Sequence, residues 1–118
     1  EGRLSRLSRP LVVRAGAAVR DGKLPMEEIV HALMRLEVAD DVGAVLDVYT
    51  GSMAGRALNS LISSLGRRRR PWISMRVFRW AQAECPEVVN QIHYNNIISI
   101  MGRCKQFGAA VQVFEELQ

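Results

Sequence analysis

An all-α fold, an α-solenoid of stacked helix-turn-helix repeats, is what this sequence predicts, and three features predict it. The chain repeats itself. Slid onto itself by 36 residues, Leu58 falls on Tyr94 and Gln82 on Gln118, and eight of the 25 superposed positions are identical. They are Asn59/Asn95, Ile62/Ile98, Ser63/Ser99, Gly66/Gly102, Arg67/Arg103, Val77/Val113, Phe78/Phe114 and Gln82/Gln118. Average residue usage gives roughly one or two by chance, and self-similarity at a period of roughly 20 to 50 residues marks repeat arrays. Second, apolar residues recur at i, i+3, i+4 and i+7, the period of one helix face. Third, no segment alternates with period two, so no strand is expected.

The elements follow in order. Residues 1–23 form a basic N-terminal segment, with five Arg and no acid between Gly2 and Arg20. Arg-rich, acid-poor N-terminal sequence is what organelle transit peptides look like. The preferred reading is a helix, with Ser8 as its cap, Pro10 in its first turn and Val12, Ala15 and Val19 on one face. Asp21-Gly22-Lys23 reads as a turn. Residues 24–55 read as a degenerate helical hairpin. Pro25, Glu27 and Glu28 open its first helix, with acids facing the positive helix end, and Ile29, Leu33 and Leu36 line one side. Asp40-Asp41 open its second, whose stripe is Val42, Val45, Leu46 and Tyr49; Thr50-Gly51-Ser52 ends it.

Residues 56–91 and 92–118 are the two clear copies, the second truncated. Their first helices carry Leu58, Leu61, Ile62 and Leu65, then Tyr94, Ile97, Ile98 and Met101. Gly66 and Gly102 are expected to terminate these helices. Their second helices carry Ser74, Val77, Phe78 and Ala81, then Ala110, Val113, Phe114 and Leu117. Phe78 and Phe114 are therefore expected inside. Pro71 suits a helix start, and Cys85-Pro86 breaks the chain before the next copy. Trp72 and Trp80 lie off the stripe, free to fill gaps between units or stay partly exposed. A single hairpin cannot bury both apolar faces, whereas stacked hairpins bury a continuous core and curve round a groove.

Composition narrows the function classes. A net charge of +4 leans mildly toward anionic partners. The two cysteines, Cys85 and Cys104, fall outside any metal or redox spacing and read as free thiols. His31 and His93 have no ligand partners at metal spacing. No phosphate loop, nucleotide fingerprint or locally recognisable catalytic constellation is present. No cofactor, metal or enzymatic activity is expected, and no membrane span. Glu1 is not Met and Gln118 stops inside an amphipathic pattern, so a piece of a longer protein is expected.

The string from His93 to Ser99, then Met101-Gly102-Arg103, then Ala109 to Leu117, resembles the pentatricopeptide repeat of plant organelle proteins. That pattern runs Tyr-Asn-x-Leu-Ile, a Gly-basic helix end and an Ala-x-x-Val/Leu-Phe second helix. Ala57 to Ser63 with Val77-Phe78 is a looser copy. The departures are a spacing of 36 residues where about 35 is usual, and Trp72 and Ser74 where small apolar residues are expected. A similar hairpin, the tetratricopeptide repeat, calls for Trp and Leu-Gly early in its first helix, where this chain has Tyr-Asn.

The resemblance implies single-stranded RNA binding, one base per repeat, in organelle RNA processing, stability or translation, with a chloroplast or alternatively a mitochondrion as the location. It implies base-reading positions at Ser60, Gln91 and Asn96, and base-flanking positions at Ala57 and His93. In that family Asn at the first reading position goes with pyrimidines, and Ser or Thr with purines. The alternative is a helical-repeat scaffold for protein partners, and an uncapped last helix also predicts self-association. Arg67, Arg68, Arg69 and Arg70 form the strongest charge run. Cations suit a helix C-terminus, but four in a row exceed that need, and Arg103 with Lys105 repeats the placement one unit on. Such a recurring basic stripe is what a phosphate track would look like.

Overall fold

The computed structural model describes residues 23–118. The expected N-terminal helix and its Ser8 cap lie outside the described residues. Among the described residues there is no strand. Six α-helices follow one another: α1 (Met26–Met34), α2 (Gly43–Leu46), α3 (Gly55–Arg67), α4 (Pro71–Glu84), α5 (Gln91–Arg103) and α6 (Phe107–Leu117). Short 3-10 turns cover Asp47–Ser52 and Pro86–Val88.

Each helix forms for local reasons and is held by its apolar stripe. α1 begins after Pro25, carries Glu27 and Glu28 in its first turn, and buries Ile29, Val30, Ala32 and Leu33. Asp41 supports the start of α2, its carboxylate accepting from the Gly43 amide at 2.9 Å. Val42, Val45, Leu46 and Tyr49 are all buried, although the helix tightens to 3-10 geometry at Asp47. Leu58, Leu61, Ile62 and Leu65 of α3 have no exposed surface. Neither have Ser74, Val77, Phe78 and Ala81 of α4. Ser74 fits a core position because its hydroxyl donates to the Ile62 carbonyl at 3.0 Å. Buried hydroxyls need such a partner.

The sequence repeat is expressed in the structure. α3 and α5 have bounds 36 residues apart at both ends, and α4 and α6 start 36 apart. α3 packs against α4 and α5, α4 against α5, and α5 against α6, while α1 lies on α3. Two expectations are corrected. Gly66 and Gly102 do not terminate their helices; both sit inside the last turn, and the left-handed residues are Arg69, with φ 63°, and Lys105, with φ 62°. Phe114 is not inward: half its surface is exposed, against none for Phe78. Its helix packs on α5 and is bonded to α4 through Glu116, and the side that carries Phe114 faces neither.

The remaining aromatic and sulfur side chains divide. Trp72 is exposed, whereas Trp80 is buried and its indole N–H donates to the Asp47 carboxylate at 2.9 Å. Cys85 is buried and Cys104 half-buried, and neither forms a disulfide. Burial, and then Glu87 and Glu84 nearby, push the Cys85 thiol up, which suits an inert core position.

Candidate nucleic-acid interface

The basic residues gather at the C-terminal ends of α3 and α5, and the turn chemistry there is the same twice. The Arg69 amide donates to the Gly66 carbonyl and the Arg70 amide to that of Leu65, both at 3.0 Å. One unit later the Lys105 amide donates to Gly102 and the Gln106 amide to Met101, at 3.0 and 2.7 Å. This pairing of crossed bonds with a left-handed residue is the Schellman end. It reverses the chain sharply and throws the side chains of Arg69 and Lys105 outward.

As a result, Arg67 and Arg69 from one unit and Arg103 from the next line a single open depression, floored by Gly66 and Cys104. Arg67, Arg68, Arg69, Arg103 and Lys105 are exposed. Among the described residues none of them is in an ion pair. Arg103 rests on Ser99, donating to its hydroxyl at 3.0 Å. Arg70 is placed differently. Its guanidinium donates to the Met34 carbonyl at 2.9 Å, tying the end of α3 to the end of α1.

The five residues at the expected base-reading and base-flanking positions fall in three settings. Ser60 and Gln91 are exposed, Ser60 in the second turn of α3 and Gln91 at the first residue of α5. Ala57 is half-buried against the core. Asn96 is half-buried, and its amide N–H group donates to the Asn59 side chain and the Ser63 hydroxyl, each at 2.8 Å, bridging α5 to α3. His93 is buried, with 1% of its surface exposed. Its Nδ1 accepts from the Asn90 amide at 3.0 Å and its Nε2 lies 2.7 Å from the Gly55 carbonyl. That assigns the proton to Nε2. The ring completes a capping box with Asn90, whose side chain accepts from the Ile92 amide. It is closed to a base, contrary to the flanking role expected for it.

Sequence reasoning missed Asn90, Asn59 and Ser63. Asn90 was signalled, as an amide residue directly before an amphipathic run. The Asn59 and Ser63 pairing with Asn96 was not, since it joins residues 37 and 33 apart. Among the described residues no group of His, Cys, Asp and Glu could hold a metal ion, and no helix is long and apolar enough to cross a membrane. No family model, curated protein or solved structure matches the chain.

Proposed function

We propose that the chain is part of an α-solenoid of pentatricopeptide-like repeats that binds single-stranded RNA and does no chemistry on it. The observation that carries this reading is the depression lined by Arg67, Arg69 and Arg103 from two consecutive units. Guanidinium groups without carboxylate partners, repeated at the period of the fold, suit a chain of evenly spaced phosphates. Ser60, in the second turn of α3, and Gln91, at the start of α5, are open to a base edge. Asn96 would read a base with its carbonyl oxygen while its N–H group stays bonded to α3. Only two units bear the pattern, so only about two bases are read and affinity is low.

Filter binding of a labelled single-stranded RNA at several salt concentrations tests the reading. Binding should weaken steeply with salt. Replacing Arg67, Arg69 and Arg103 together by Ala should flatten the logarithmic salt slope by about 2, at about 0.7 per phosphate contact. Binding that ignores salt, or none at the lowest salt, overturns it. The scaffold reading has one observation in its favour, the exposed apolar side chains of α6.

A further inference from the structure

We infer that the turn joining α3 to α4 is a second contact for single-stranded RNA, outside the base-reading positions, where one base stacks on Trp72 and the adjoining phosphates rest on Arg67, Arg68 and Arg69. The inference deepens the proposed function and rests on it. Two departures coincide on this turn. Trp72, the second residue of α4, is 52% exposed, so its large apolar ring contributes little to the core. Ser74, the other residue out of place there, is accounted for by its bond to Ile62. One unit on, the counterpart of Trp72 is Gly108, and the run Arg67 to Arg70 is reduced to Arg103 and Lys105. The ring and the full basic run occur together on one turn and are absent together from the other.

Proximity, charge and rigidity suit this turn to the task. Trp72 follows Arg69 by three residues, which keeps their Cα atoms within about 11 Å. Residues 48–83 carry seven Arg and no Asp or Glu, so a polyanion meets no carboxylate from this segment. The Arg70 guanidinium donates to the Met34 carbonyl at 2.9 Å. That of Arg76, one helical turn beyond Trp72, donates to the Asp40 carbonyl at 2.8 Å. The turn is therefore fastened to the first hairpin on both sides of the ring. An exposed ring held still beside cations can stack any base, because every base has a π-face, while the guanidinium groups take the phosphates. Such a contact adds affinity without sequence preference.

The test titrates the 118-residue chain with a single-stranded oligoadenylate of about 12 nucleotides. Stacking quenches indole emission, and the buried Trp80 supplies a steady background. Emission should fall as the RNA binds. A strand of the same length without bases should bind through its phosphates and leave the emission unmoved. Trp72→Ala should weaken filter binding about 10-fold with the logarithmic salt slope unchanged, because no phosphate contact is lost. Trp72→Phe should keep most of the binding, and neither change should move the unfolding midpoint by more than about 2 °C. RNA that binds without quenching, or that binds Trp72→Ala as tightly as the parent, overturns this inference and leaves the proposed function standing. No RNA binding at the lowest salt overturns both. Quenching by phosphatidylserine vesicles and not by RNA assigns the turn to a membrane surface and overturns the inference as well.

Discussion

Arg69 and Lys105 turn the chain with positive φ, which L side chains adopt at a cost of roughly 1–2 kcal/mol. Arg69→Gly and Lys105→Gly should each therefore stabilise the fold by about 1 kcal/mol, read as a higher urea midpoint. Glycine is required at Gly66, three residues before Arg69, for a different reason. Gly66→Ala gains helix propensity but drives a Cβ into the buried Ile100, so it should destabilise by about 1–2 kcal/mol. Gly102→Ala, with open space around it, should stabilise by up to about 1 kcal/mol. His93→Leu should cost about 2–3 kcal/mol, because it leaves the Asn90 amide and the Gly55 carbonyl without their buried partner. Equilibrium denaturation of these variants separates the three effects, and equal behaviour of the two glycines would refute the steric account.

At the scale of elements, α4 and α6 are clamped by a two-pronged pair. Arg79 donates to both carboxylate oxygens of Glu116 at 2.7 Å, and also to the Gln82 side chain at 2.8 Å. Hydrogen bonds from Arg79 hold the Glu116 carboxyl below its ordinary range. The folded chain thus prefers the ionised form, and the stability so contributed is complete at neutral pH and fades as pH falls through the depressed value. Both groups are about one-third exposed, so solvent limits the effect to about 0.5 kcal/mol. Glu116→Gln should shrink the difference in unfolding free energy between pH 7 and pH 3, read from urea titrations, by up to that amount; an unchanged difference would show that the pair contributes nothing.

The stripes of α3 and α4 were legible in the sequence because burial there follows from helical periodicity, and Leu58 through Ala81 obey it. Phe114 obeys the same period yet is half exposed, because burial needs a neighbouring surface and periodicity reports only a face. The candidate site divides the same way. The basic helix ends stand out as a run of like residues. The closing of His93 and the tying of Asn96 arise from pairings between helices 33 to 38 residues apart, and local pattern does not carry those.

At the scale of the whole molecule, apolar surface among the described residues is covered unevenly. α1 packs on α3, while Phe107, Val111 and Phe114 stand 50% exposed or more on α6. Exposed apolar patches drive association. Light scattering should show weak, concentration-dependent self-association that Phe114→Glu abolishes without changing the unfolding midpoint by more than about 2 °C; a chain monomeric at every concentration would contradict this.

The two tryptophans give the protein a built-in optical gauge. Trp72 faces water, and Trp80 is sealed against the first hairpin by its bond to Asp47. A water-soluble quencher should silence Trp72 and leave a blue-shifted emission that belongs to Trp80. That residual light will redden if the first hairpin lifts away from Trp80, so such an opening can be timed without attaching a dye.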